Sequence, residues 1–260
     1  MQTIQIDWHI ICYEEFRYLE NKALKIFIDE KKYLDIFKKM DFKVIMALGW
    51  DWTMLSAIKD LKHLEMPFLW INFWTKWFLL NDLWFINSKD FVEKKYPLLE
   101  FNLKTNQSTN TFYSFNEFDI RAWNWRVITL EISLNNKNIL ISWDWIIVST
   151  PAWSTWYNNS LGWPIIPHNI NAFVITSKAP FNPKWQNPIL VSWDSEISIR
   201  NIWRKNTLQI YSDSNLVYEW TWESVCLNLK KSEKQVTFLI FKDYLEKWEE
   251  KVLFEQGFSK

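Results

Sequence analysis

The chain has 260 residues, 48% of them hydrophobic, enough to bury a substantial core in one large domain or two modest ones. Basic and acidic residues both number 30, so the formal net charge is zero, and no basic block offers the electrostatic footprint that nucleic acid or anionic lipid requires. Two cysteines without CxxC spacing and three scattered histidines exclude a disulfide framework and a Cys/His zinc site; no apolar run reaches the length of a membrane helix, and the chain reads as cytoplasmic.

From Phe42 to Leu48 the run FKVIMAL predicts a short buried strand, and from Thr53 onward Met54, Leu55, Ile58 and Leu61 fall on one helical face. A tight turn must join the two. A second unit follows, with Pro67 to Ile71 as a strand and Lys76 to Leu80 opening the next element, so the first hundred residues alternate β and α. Between Asn102 and Ser114 the sequence turns polar and loses periodicity, which predicts a linker or domain boundary. Beyond it, short runs rich in β-branched residues predict strands at 127–134, 139–141, 146–149, 172–176, 189–191, 208–211 and 225–229. The segment Asn135-Asn136-Lys137-Asn138 tolerates left-handed backbone and predicts a hairpin, and a short helix is expected in the mixed-charge tail from Lys242 to Lys260. The expected fold class is therefore an α/β first domain followed by an all-β, sandwich-like second domain.

Glycine and tryptophan usage is inverted: the chain holds 3 Gly and 20 Trp, where glycine alone ordinarily makes up about 7%. The two types together number 23, close to an ordinary glycine content with almost no tryptophan left over. A Trp-rich binding module that stacks ligands on its indoles would have this composition too, but it would not crowd them beside Asp, Thr and Pro in turns.

The turn after the first strand reads Gly49-Trp50-Asp51-Trp52-Thr53. A strand that reverses into a helix while aiming backbone N–H groups at a phosphate needs residues without Cβ, because positive φ and close ligand approach both exclude side chains. With glycine at 50 and 52 the segment becomes GGDGT, which resembles the signature of the superfamily that holds NAD kinases, diacylglycerol kinases and phosphofructokinases. Read the same way, the stretch from Trp70 to Leu79 becomes GINFGTKGFL, similar to the second motif of NAD kinases. Asn116-Glu117 matches their Asn-Glu pair. The block from Trp143 to Asn158 becomes GDGIIVSTPAGST-x-YN, Leu161-Gly162-Trp163-Pro164 becomes LGGP, and Ala172 to Thr176 with Ala179-Pro180 is also similar to the family. The motifs run from 49 to 180 in the family's order. The pattern fits a gene that decodes UGA as glycine, translated with a table that reads UGA as tryptophan. At 156 the family often has alanine, at Trp8 and Trp193 no required glycine aligns, and Asp213-Ser214-Asn215 departs from an Asp-Gly-Gln type segment.

The resemblance implies an NAD kinase: residues 1–105 form an α/β nucleotide-binding domain, 106–236 a β-rich NAD-binding domain, and 237–260 a tail packed back on the first. It implies transfer of a phosphoryl group from ATP or polyphosphate, with magnesium or another divalent cation, to the adenosine 2′-hydroxyl of NAD, in a homodimer or homotetramer. Asp51 is then the base on the attacking hydroxyl; a carboxylate there could otherwise simply cap the following helix. Gly49, Trp50, Trp52 and Thr53 form the phosphate loop. NAD is expected to meet Asp51, Trp52, Asn116, Glu117, Asp144, Ala152, Thr155, Trp156, Tyr157, Asn158, Asn159 and Ser160, although Asp144 also fits an ordinary hairpin aspartate and Tyr157 a core aromatic. No Gly-x-x-x-x-Gly-Lys loop appears even with glycines restored. A lipid kinase would share GGDGT but lack the GDG-to-GST block, and a catalytically dead nucleotide sensor would share both.

Overall fold

The structure is a computed structural model describing residues 2–7, 10–14, 43–49, 51–72, 81–82, 90–123, 128–153, 166, 170–178, 187–201, 208–220 and 224–245. The chain divides into two compact units, one of residues 1–96 with 236–260 and the other of residues 97–235.

In the first unit, β1 (Gln2–Asp7) and β2 (Ile10–Glu14) form an antiparallel pair, and β2 then runs parallel to β3 (Val44–Leu48). Helix α1 (Asp51–Leu61) follows, and β4 (Phe68–Asn72) and β5 (Asn81–Asp82) extend the parallel set. All five residues of β3 are buried, as an unbroken apolar run requires when both faces of a parallel strand are covered. Of the helical stripe read from sequence, Met54, Leu55 and Ile58 are buried, joined by Ala57, while Leu61 is half-buried. Asn81, itself buried, stitches the unit's edge, donating through Nδ2 to the carbonyls of Trp70 at 3.0 Å and Leu239 at 2.8 Å and accepting the N–H of Phe241 at 2.7 Å. Residues 242–245 are helical; the rest of the tail, and the element expected from Lys76 to Leu80, lie outside the described residues.

The second unit contains the remaining strands. Two of them, β6 (Phe91–Lys104) and β17 (Cys226–Phe241), begin or end in the first unit. Between them come β7 (Thr109–Ser114), β8 (Glu117–Ala122), β9 (Ile128–Leu134), β10 (Lys137–Trp143), β11 (Trp145–Ser149), β12 (Ala172–Lys178), β13 (Ile189–Ser192), β14 (Ile197–Asn201), β15 (Leu208–Ser212) and β16 (Asn215–Trp220). One layer has the order β17-β14-β9-β10, with β6 and β7 attached; the other has β13-β12-β11-β8-β15-β16. Alternate residues of both layers meet in one core that includes Phe101, Phe118, Ile120, Leu130, Val148, Phe173, Ile199, Ile210 and Leu227.

The polar stretch from Asn102 to Ser114 is not a linker. It is a hairpin of β6 and β7, closed where Thr105 Oγ1 accepts the N–H groups of Gln107 (3.1 Å) and Ser108 (3.0 Å). Its sequence is polar because Thr109, Asn110 and Thr111 are exposed. The hairpin expected over 135–138 forms, with Asn135 and Asn136 at φ of 48° and 64°.

Candidate functional site

In the first unit, Gly49 follows β3 directly and has φ of 141°, and a Cβ there would lie 2.5 Å from Thr53 Oγ1. Only glycine relieves both constraints. Asp51 and Trp52 open α1, which places the turn at the helix's positive end. Thr53 is fully buried beneath it, and the Trp70 indole donates to the Gly49 carbonyl at 3.1 Å. Trp50 lies outside the described residues.

In the second unit, a bend at Phe115-Asn116 carries the chain from β7 to β8. Thr150 holds it from one side, its N–H donating to the Asn116 carbonyl at 2.9 Å and its hydroxyl to the Phe115 carbonyl at 2.8 Å. From the other side Asp213 accepts the N–H groups of Phe115, Asn116 and Glu117. Alternation along β8 sends Phe118 and Ile120 into the core, so Glu117, Asp119 and Arg121 share the opposite face. Even so, Glu117 is only 5% exposed and Asp119 only 1%.

Burial raises the Glu117 carboxyl well above the usual carboxylate range, reinforced by Asp213 and Asp119 and opposed by the Ser214 hydrogen bond and by Arg121. One of its oxygens, Oε2, is buried without a partner among the described residues. Burial also raises Asp119, against a two-point pair with Arg121 at 2.6 and 2.9 Å and a smaller contribution from the Trp145 indole. The Arg121 guanidinium lies 4.2 Å from the Tyr211 ring centre and 4.5 Å from that of Trp145.

Asp144 is not a hairpin aspartate. β10 and β11 do not pair; they belong to different layers, and Asp144 stands where the chain crosses between them, its carbonyl accepting the Ala122 N–H at 3.0 Å. Ala152 is buried in the single turn Pro151–Trp153 that follows β11. The structure thus brings Asn116, Glu117 and the start of the STP segment together around one bend. Thr155, Trp156, Tyr157, Asn158, Asn159 and Ser160 lie outside the described residues. Among the described residues no group of three His, Cys, Asp or Glu is arranged to hold a metal ion.

The profile of the ATP-NAD kinase C-terminal domain matches residues 96–240, the stretch that contains this bend. The chain belongs to the ATP-NAD kinase family. Among curated relatives, the NAD kinase of Flavobacterium psychrophilum is 27% identical over 219 residues, 76% of this chain and 74% of that one. The NAD kinase of Rickettsia typhi is 30% identical over 183 residues, 66% of this chain and 71% of the relative. Two solved structures share the fold. Yeast NADH kinase complexed with NADH aligns with a TM-score of 0.69 at 16% identity, over 84% of this chain and 68% of that one. An NAD kinase from Archaeoglobus fulgidus in complex with ATP aligns with a TM-score of 0.65 at 19% identity, over 90% and 96% respectively. Family membership and the curated relatives make phosphorylation of NAD the activity of this chain.

Sequence reasoning missed Asp213 as a partner of the Asn-Glu bend. The signal was present: Asp-Ser-Asn between two β-branched runs favours a tight turn with positive φ, which is what Asp213 (47°) and Ser214 (61°) adopt. What the sequence could not supply is the pairing of that turn with a bend 97 residues earlier.

Proposed function

We propose that the chain transfers the γ-phosphoryl group of ATP to the 2′-hydroxyl of the adenosine ribose of NAD, giving NADP. The observation that carries this reading is the Asn116-Glu117 bend within the family-matched region, where a buried carboxyl oxygen has no partner among the described residues. Such an atom is costly unless something satisfies it, and a ribose hydroxyl or base edge does so. Asp51, opening α1, serves as base: it accepts the proton of the 2′-hydroxyl as that oxygen attacks the γ-phosphorus and the bond to the bridging oxygen of ADP breaks. Gly49, Trp52 and Thr53, with residue 50, form the phosphate turn, where the positive end of the helix dipole favours anionic oxygens. Magnesium enters as the ATP complex and neutralises charge on the transferred group. Asp144, Ala152 and the segment from Thr155 to Ser160 complete the NAD contacts. The first unit has α/β character, and the enzyme works as a cytoplasmic homo-oligomer.

We further infer that most motif tryptophans stand where the working protein has glycine, through UGA read as tryptophan. Two observations support this. Gly49, a motif residue that is written as glycine, sits where any Cβ would collide with Thr53. Trp143, a motif position written as tryptophan, buries its indole N–H with no acceptor among the described residues. The test is NADP formation from NAD, ATP and magnesium, by the chain with glycine at 50, 52, 70, 74, 77, 143, 145, 153 and 163 and by the chain with tryptophan there. Activity in the glycine form alone is expected. Soluble, folded protein that is inactive in both forms would sink the kinase reading; equal activity in both would sink the glycine inference, as would UGG codons at these positions.

A further inference from the structure

Asp213 begins the tight turn between β15 and β16, far along the chain from the Asn116-Glu117 bend, yet its carboxylate is the bend's main anchor. Oδ2 accepts the Phe115 N–H at 2.8 Å, while Oδ1 accepts those of Asn116 at 2.7 Å and Glu117 at 3.3 Å. Three successive amides converging on one point form a concave nest suited to an anion, and here the protein supplies the anion itself. The attachment is reciprocal. The Asp213 N–H donates to the Glu117 carbonyl at 3.0 Å, the Ser214 hydroxyl donates to Glu117 Oε1 at 3.4 Å, and the hydroxyls of Ser114 and Ser212 lie 2.6 Å apart. Glu117 is therefore held by this turn at its amide, its carbonyl and its side chain.

We propose that Asp213 is a positioning residue for dinucleotide binding, one that fills the amide nest and so fixes Asn116 and Glu117 in their binding geometry before the ligand arrives. This rests on the NAD kinase reading. Its consequence is specific: a bend already ordered spares the ligand the ordering cost, so the effect falls on NAD affinity, not on the chemical step. The carboxylate is required as such. An asparagine at 213 has one acceptor oxygen, and its NH2 group would face a backbone N–H that also donates.

The experiment compares Asp213→Asn and Asp213→Ala with the parent, using the full chain in whichever form phosphorylates NAD. For Asp213→Asn the KM for NAD is expected to rise about 10-fold, the size of one charge-assisted hydrogen bond, and further for Asp213→Ala. The KM for ATP and kcat should stay within about twofold. A purely structural role would lower kcat through loss of folded enzyme and leave the KM for NAD unchanged, and that result overturns the proposal. Amide hydrogen exchange gives a readout independent of turnover: residues 115–117 should lose protection in Asp213→Asn while the rest of β8, from Phe118 on, and β15 keep theirs. Unchanged protection at 115–117 overturns the proposal whatever the kinetics. A parent that forms no NADP sinks the kinase reading and this role with it, whereas an active parent whose KM for NAD survives Asp213→Asn sinks this role alone.

Discussion

Two tryptophans in the sandwich unit are accommodated in opposite ways. Trp193, just after β13, is half-buried; its indole N–H donates to the Ala172 carbonyl at 2.7 Å, its ring lies 6.1 Å from that of Phe173, and the Lys231 ammonium sits 5.2 Å from the ring centre. Trp143, the last residue of β10, is only 2% exposed, yet its N–H finds no acceptor among the described residues. An unmet buried donor costs about 1–3 kcal/mol, which offsets much of what burying the ring contributes. A side chain that belongs to its position has both its area and its polar atom satisfied. Trp193 meets that standard, and it is where no family glycine is required; Trp143, in the GDG-like segment, does not, although Trp70, also at a motif position, is buried with its N–H on the Gly49 carbonyl.

The sharpest way to break this comparison is to remove both indoles. Trp193→Gly should lower the free energy of unfolding by about 3 kcal/mol, since packing, a hydrogen bond and a cation–π contact go together. Trp143→Gly should cost less than Trp193→Gly despite the deeper burial, because a donor with no acceptor among the described residues leaves with the ring. Denaturant unfolding of the two variants measures both, and the reverse order would make Trp143 a true core residue. A smaller effect, about 2 kcal/mol, is expected for Gly49→Ala, where the backbone at φ of 141° and the Thr53 hydroxyl both oppose a Cβ. An unchanged Tm in that variant would mean that the turn yields easily, and the steric case against indoles at 50 and 52 would go with it.

The same contrast explains what was legible in the sequence. β3 and α1 were readable because local pattern decides them: Val44–Leu48 is an unbroken apolar run, and Met54, Leu55 and Ile58 repeat at helical spacing. The 102–114 hairpin was misread because an exposed hairpin has little hydrophobic periodicity to display, and its turn is built from Thr105 and Ser108 without glycine or proline. β14 (ISIRN) and β16 (NLVYEW) were missed although both are longer than β13, which was read. At the candidate site, Asn116 and Glu117 were singled out by motif order, while the Thr150 and Asp213 anchors were not, since each is a contact between segments far apart in the chain. The family's motifs remained recognisable with tryptophan at their glycine positions because the neighbours Asp51, Asp144 and Pro151 kept the spacing.

Glu117 carries the smallest predicted effect and sharpens the comparison furthest, because it too has a buried polar atom without a partner among the described residues. Trp143 cannot relieve its defect, whereas a carboxyl can take up a proton. Burial foremost, then the charges of Asp213 and Asp119, raise its folded pKa above the reference value of 4.5. The native state therefore holds this proton more tightly than the unfolded chain does. The resulting stability is full below the unfolded value and is lost as pH rises through the folded one. Asp119, also raised by burial, acts in the same direction but is opposed by its pair with Arg121. Glu117→Gln keeps the oxygen that accepts from Ser214 and removes the ionisation, so Tm measured from about pH 5 to about pH 8 should fall less steeply than in the parent. At the alkaline end the variant should be at least as stable. If the two slopes coincide, Glu117 ionises in the folded chain without penalty, and a ligand is not needed to account for its unpaired oxygen.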